Sequence, residues 1–321
     1  MNSLDSLMRS ISEAYDLHIK HIELIYDAVN KIFRITNEND SLIFKIFNKR
    51  DHSKQRISFE RKITFHISSR QPNSINPILA KAQIEKTYLY ENQFYYGILT
   101  RECTGNPYLT NAGAQSDDYL FGQALFTLHH IPPPPFRNPK HDTSNVKHLI
   151  SKLGSPNRSQ KTIQLKTIIQ TLHNDINLTT LSHTERMKRC ICHGDAWPGN
   201  ALYSSNACTL IDFEHTRISD PAFDVATFIW WLTGSEHTEL EKLKSWEQFV
   251  NGYGESIKQL INNSTPALIK TNQLRSLIFL HNNIIINEEI LEYAQRRTSH
   301  LLEKLTPHLK SEQLLEALWK K

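Results

Sequence analysis

Asp195 stands in the string CHGDAWPGN, Asn200 follows five positions later, and Asp212 comes after a short apolar run in LIDFE. Two carboxylates and a carboxamide supply hard oxygens of the kind Mg²⁺ takes, alongside phosphate oxygens and water. A loop, a strand, a turn and a second strand would return Asp212 to the neighbourhood of Asn200. Earlier in the chain Lys45 is the only charge in the apolar run SLIFKIF, and Glu60 lies in ISFERKITFHI. An ammonium on a strand can hold phosphates, and a carboxylate on the next helix can orient it.

Each residue alone has a plainer reading. Asp195 after His193-Gly194, and Asn200 after Pro198-Gly199, are common turn chemistry. Lys45 suits an edge-strand lysine whose stem snorkels to water, and Glu60 suits a solvated helix charge. Asp212, between Ile211 and Phe213, is different, because a carboxylate at the end of an apolar strand needs a partner or a metal. The joint order and spacing carry the chemistry. Kinases place a catalytic Asp five residues before a metal-binding Asn, a second metal-binding Asp after the next strand, and a Lys–Glu pair upstream.

The elements that must position these residues follow from periodicity. Leu4, Leu7, Met8, Ile11 and Tyr15 recur at helical spacing, which predicts an amphipathic first helix and not a signal peptide. HIELIY, KIFRIT and SLIFKIF then predict an antiparallel meander, with Leu42, Phe44 and Ile46 on one face and Ile43, Lys45 and Phe47 on the other. A helix over ISFERKITFHI points Glu60 back at this sheet. After a Pro/Asn/Ser loop from Gln71 to Pro77, KTYLYEN and FYYGILT predict a hairpin turning at Glu91-Asn92. Beyond Cys103 the chain is mainly helical, beginning with Leu120, Phe121, Ala124, Leu125 and Leu128 on one face and stopping at IPPPPF. β-type runs return only in RCICH, NALYS and TLIDF. The expected architecture is α+β and bilobal, with a sheet lobe over residues 1–103 that binds nucleotide. A helical lobe over 104–321 carries the catalytic loop, metal and substrate.

Composition narrows the partners. The 37 basic and 33 acidic side chains of the 321 residues are interspersed, giving +4 without a polybasic arm, which speaks against nucleic acid. No apolar run approaches the roughly 20 residues that span a bilayer, so neither a membrane nor secretion is expected, and the reading is cytoplasmic, as monomer or homodimer. Four cysteines are too few for a disulfide scaffold. Cys190, Cys192 and His193 have no second pair at finger-like spacing, so zinc is not expected.

The strings HGDAWPGN and LIDFEHTRISDPAFDVATF resemble the HGDxxxxN and IDFE…DPxxDLA blocks of the aminoglycoside phosphotransferase and choline kinase superfamily, small-molecule relatives of protein kinases. With the Lys45 strand, the Glu60 helix and FGQALFTLHHI, the resemblance covers roughly residues 20–235. It implies a protein-kinase-like fold with ATP or GTP as cofactor. By that likeness Asp195 is the catalytic base, Asn200 and Asp212 hold Mg²⁺, Lys45 contacts the α and β phosphates, and Glu60 orients Lys45. Arg101, Glu102 and Cys103 would supply backbone groups for the base. Asp224 would anchor the catalytic loop together with His193, although a carboxylate at a helix N-terminus is also favoured by the helix dipole. Where the family usually has glycines between its first two strands, this chain reads IYDAVNKIF, with Asn30 the residue whose neighbours' amides would face phosphate. Ten glycines in the whole chain sit well under the usual share of about 7%, and this loop is where the shortage falls.

The resemblance implies transfer of a γ-phosphate to a hydroxyl of a small molecule: an amino sugar, an antibiotic, choline or another amino alcohol. From Leu232 to Lys321 there are eleven acidic and eleven basic residues, a balance that disfavours a polycation. Trp197, Glu214, Trp231 and Glu288 are the candidate substrate contacts. Trp230, Trp231, Trp246 and Tyr253 could box a quaternary ammonium or simply pack a core. Two alternatives keep the fold: a Ser/Thr protein kinase, disfavoured by the short stretch from Asp212 to Pro221, and a nucleotide-binding pseudokinase, suggested by the missing glycines. A metal-dependent hydrolase would normally use more His and carboxylate ligands.

Overall fold

The computed structural model describes residues 3–28, 30–47, 53–70, 87–108, 117–139, 150, 153, 159–176, 189–305 and 313–319. The loop from Gln71 to Pro77 lies outside them. The chain forms two compact units, one of residues 1–106 with 202–204 and 209–214, the other of 107–201, 205–208 and 215–321.

In the first unit, helix α1 (Ser3–Tyr15) precedes strands β1 (His21–Asp27), β2 (Lys31–Thr36) and β3 (Ser41–Phe47), helix α2 (Lys54–Ser68), and strands β4 (Thr87–Tyr90) and β5 (Gln93–Arg101). The sheet is antiparallel in the order β1-β2-β3-β5-β4, so β3 is central. A bulge interrupts β1 between Leu24 and Tyr26. Strand alternation gives the sheet two working faces. Leu42, Phe44 and Ile46 of β3 join Phe33, Ile35 and Leu99 in a core that buries Leu7, Ile11, Ala14 and Tyr15 of α1. Phe47 turns to the other face, where it packs with Ile98 and with Ile57 of α2. The hairpin between β4 and β5 turns at Glu91 and Asn92, both with positive φ (48° and 61°), the backbone of a tight type I′ turn. Residues 202–204 belong to this unit through paired main-chain bonds between Asn106 and Tyr203, 2.8 Å each.

The second unit is mainly helical: α3 (Asp117–His130), α4 (Gln160–Asp175), α5 (Ala222–Gly234), α6 (Glu239–Tyr253), α7 (Thr265–Asn283), α8 (Glu288–Lys304) and α9 (Leu314–Trp319). Phe121 of α3, Phe228 of α5 and Phe249 of α6 meet in an aromatic centre, with Phe228 and Phe249 stacked at 3.9 Å. A second core joins Leu165, Ile169 and Leu172 of α4 to Leu274 and Leu277 of α7 and Leu291 of α8. α5 is apolar around most of its circumference, and its residues from Ala222 to Ile229 are all buried, as a helix wrapped by neighbours requires. Among the described residues no helix is long and apolar enough to cross a membrane.

Between α4 and α5 run four three-residue strands. β6 (Cys190–Cys192) pairs antiparallel with β9 (Arg217–Ser219), while β7 (Ala201–Tyr203) pairs with β8 (Cys208–Leu210). The sequence pattern shows one hairpin here; β9 was not evident from it, since RIS is too short to display a period. Its free edge is held by Asn138, whose carboxamide gives to Ile218 O (2.9 Å) and accepts from Ile218 N (2.7 Å).

Candidate active site

Lys45 sits mid-strand on β3, paired with Ile32 and Ile98, and points to the α2 face. Its Nζ donates to Asp212 Oδ1 at 2.5 Å and Glu214 Oε2 at 2.7 Å, and its side chain is only 14% exposed. Burial alone would push the Lys45 ammonium down, but Asp212, Glu214 and Glu60 outweigh it and hold the pKa above the ordinary lysine value. Glu60 was expected to be the orienting partner of Lys45. It lies buried on α2 and feels the ammonium's charge, yet its Oε2 has no hydrogen-bond partner among the described residues. Burial pushes its pKa up to about 7, with Lys45 opposing. Asp212 reaches its place in left-handed backbone, φ 62°, a conformation Asp tolerates better than most residues. Asn30, from the glycine-poor loop, donates through Nδ2 to Glu214 Oε2 at 2.6 Å. Glu214 is further held by Arg56 Nε, which donates to its main-chain oxygen at 2.6 Å.

At the end of β5, Arg101 is exposed and Cys103 half-buried. The Glu102 carboxylate accepts from Arg34 Nε (2.9 Å) and from the Ser41 hydroxyl. Burial opposes its ionisation, but Arg34 and Ser41 prevail and hold the pKa below the usual range. The Glu102 N–H donates to Ser41 O at 3.0 Å, so both its carboxylate and its amide are engaged within the sheet.

The second unit holds the residues expected to form a catalytic loop. β6 delivers the chain into His193-Gly194-Asp195. Gly194 has φ 82°, and a Cβ there would fall 1.9 Å from His215 O, so only glycine makes this turn. Asp224, fully buried in the first turn of α5, accepts from His193 N (2.6 Å) and Gly194 N (2.8 Å). Asp195 is half-buried, and Asn200 Nδ2 donates to both its main-chain oxygen and Oδ2, each at 2.8 Å. That double donation turns the Asn200 carboxamide oxygen away from Asp195. The carboxamide of Asn200 and the carboxylate of Asp212, each taken by itself, carry the hard oxygen chemistry that a divalent cation such as Mg²⁺ takes. Trp197 is half-buried, and its ring lies over Gly199, where a Cβ would meet it at 2.1 Å.

One residue has no role in the sequence reading. His129 of α3 is buried, with Nε2 3.0 Å from Asp224 Oδ2 and Nδ1 2.7 Å from the Tyr253 hydroxyl. Burial lowers the imidazole pKa, but the hydrogen bond and charge of Asp224 reverse this and push it up to about 9. Burial conversely works against the Asp224 carboxylate, and His129 with the Gly194 amide holds it below its ordinary value. The available signal was a histidine on the apolar side of a helix, which needs a buried partner. Cys190 and Cys192 bring their sulfurs to 3.6 Å and lie near His129, the only three such metal-ligand types grouped among the described residues. Both His129 nitrogens, however, already serve Asp224 and Tyr253.

The candidate substrate residues scatter. Glu214 joins Lys45, as described. Trp231 packs edge-on against Tyr108 (5.4 Å) and beside Phe228, and Glu288 forms a surface ion pair with Lys161 at 2.8 Å. The four aromatics proposed as a cationic box have separate duties. Trp246 is buried against Phe228 and Phe249, Tyr253 meets His129, and Trp230 donates Nε1 to Gln273 Oε1.

The pattern defining the phosphotransferase enzyme family matches residues 23–255, nearly three quarters of the chain. The chain therefore belongs to that family and is a phosphotransferase. Among solved structures it is similar to the amicoumacin kinase hAmiN in complex with AMP-PNP, Ca²⁺ and Ami (14% identity, TM-score 0.72, covering 97% of this chain and 96% of that one). It is also similar to a microcompartment-associated aminopropanol kinase (13%, 0.65, 98% of each) and the choline kinase LicA from Streptococcus pneumoniae (16%, 0.60, 94% and 99%). At these identities the likeness establishes the kinase-like fold. Comparison with curated proteins found no match.

Proposed function

We propose that this protein transfers the γ-phosphoryl group of ATP or GTP to a hydroxyl of a small molecule, in the class of amino sugars, antibiotics, choline and other amino alcohols. The observation that carries the reading is the fixed catalytic loop: Asp224 holds the His193 and Gly194 amides while Asn200 holds Asp195. Asp195 orients the acceptor hydroxyl and takes its proton as the oxygen attacks the γ-phosphorus. The bond from that phosphorus to the β-bridging oxygen breaks, leaving a phosphate monoester and a nucleoside diphosphate. Lys45 neutralises and positions the α and β phosphates, with Glu60 beside it. Asn200 and Asp212 would hold Mg²⁺, which neutralises charge developing on the phosphates. Main-chain groups from Arg101 to Cys103 receive the base. Such transfer asks for positioning and charge neutralisation more than covalent work, and this residue set supplies both.

The stretch after Asp212 favours a small acceptor over a protein. Residues 213–219 are taken up by a helical turn (Phe213–His215) and by β9, whose edge Asn138 holds, which leaves no length for a long peptide-binding segment. Thermal-shift titration with MgATP and MgGTP, then with a panel of amino sugars, choline, sugars and amino alcohols, tests the reading. A nucleotide-dependent stabilisation deepened by one acceptor class is expected; no shift with either nucleotide would overturn it.

A further inference from the structure

Glu214 lies two places after the candidate metal ligand Asp212. One oxygen of its carboxylate, Oε2, accepts from Lys45 Nζ at 2.7 Å and from Asn30 Nδ2 at 2.6 Å. The side chain is 14% exposed, and Arg56 fixes the main chain behind it. An anionic oxygen receiving one ammonium and one amide donor has the surroundings of a phosphate oxygen. Both donors come from the first unit: Lys45 on the central strand, to which the proposed function gives the α and β phosphates, and Asn30 from the loop between β1 and β2. Glu60, meanwhile, keeps a buried oxygen without a partner among the described residues. An ammonium released by Glu214 has that acceptor beside it.

From this we infer that Glu214 is an internal competitor for the nucleotide: in the resting protein its carboxylate fills the place of a phosphate oxygen on Lys45 and Asn30, and a triphosphate binds by displacing it. The inference rests on the reading of Lys45 as a phosphate contact. A competitor with nothing to bind but this chain's own donors lowers apparent affinity by the fraction of molecules in which those donors are occupied. Asn30, which follows the loop without glycines, is thus tied to Glu214 through its side chain as well as to Ala28, whose N–H donates to its main-chain oxygen at 3.3 Å. Three carboxylates, Glu60, Asp212 and Glu214, surround one lysine, so a nucleotide without metal meets both this competitor and their repulsion.

Equilibrium binding of ATP in EDTA and of ADP with excess Mg²⁺, by calorimetry on the intact chain, tests the inference without reference to turnover. Glu214→Gln keeps the shape and removes the charge. It should tighten metal-free ATP binding at least tenfold and MgADP binding less. Glu214→Asp, which withdraws the carboxylate by one methylene, should move affinity the same way and serves if the Gln variant does not fold. Unchanged or weaker binding in the folded variant overturns the inference and makes Glu214 a nucleotide support. The gain must also vanish in a Lys45→Met background, because the competition is for Lys45; a gain that survives there is general charge relief and overturns it. Lys45→Met alone separates the two readings: if it leaves affinity unchanged, the assignment of Lys45 to phosphate fails, whatever Glu214 does.

Discussion

The carboxylate of Asp224 and the imidazole of His129 lie 3.0 Å apart in the interior of the helical unit, and the same carboxylate holds the successive amides of His193 and Gly194. A buried ion pair is worth most when its remaining hydrogen-bonding capacity is used, and here Tyr253 and the two amides use it.

This pair sets a pH window. A histidine raised from about 6.5 to about 9 contributes stability that is fully present below the lower value and lost as pH rises through the upper one. Asp224, whose pKa is depressed, contributes above the ordinary aspartate value and loses that contribution as pH falls through its lowered one. The melting temperature should therefore fall between pH 7 and 9.5, and His129→Gln, less stable throughout, should lack most of that slope. Equal slopes in the two proteins would contradict the assignment.

Gly194→Ala should cost at least about 2 kcal/mol in denaturant unfolding, since it adds left-handed strain to a clash with the His215 carbonyl. Gly254, at φ 93° and ψ 169° in a backbone region that side chains rarely enter but with open space at its Cβ, should pay backbone strain alone on substitution by Ala, about 1–3 kcal/mol, and lose less than Gly194→Ala does. Similar losses at the two positions would show that the loop relaxes around the added methyl.

Asp212 separates backbone from charge. Asp212→Gly relieves its φ of 62°, whereas Asp212→Ala does not, so the Gly variant should be the more stable by about 1 kcal/mol. Both should lose the Mg²⁺-dependent part of nucleotide affinity. A magnesium titration unchanged from wild type in both variants would remove Asp212 from metal binding.

Much of this was legible in the residues. The alternation in SLIFKIF put Lys45 opposite Phe44, and the Glu91-Asn92 turn was visible because Asn and a two-residue gap between apolar strands leave few other options. The spacing of Asp195, Asn200 and Asp212 is readable for a plainer reason, since the three lie close together along the chain. What was hidden depends on long-range contact. Nothing local marks His129 and Tyr253 as partners, 124 positions apart, or ties Asn30 to Glu214 across 184. β9 is three residues long and acquires its identity only from β6 and Asn138. Lys45 was paired in expectation with Glu60, and its hydrogen bonds go instead to Asp212 and Glu214, because carboxylates arriving from far along the chain reach the ammonium more closely.

The proposed function turns on Asp195 receiving the acceptor's proton. Asp195→Asn is isosteric and keeps an oxygen for the Asn200 amide, so folding and nucleotide affinity should be retained. Phosphoryl transfer to an accepted small-molecule hydroxyl, followed by radiolabel from the γ-phosphate, should fall by at least about a hundredfold. Transfer at the wild-type rate by the folded Asp195→Asn protein would contradict the account.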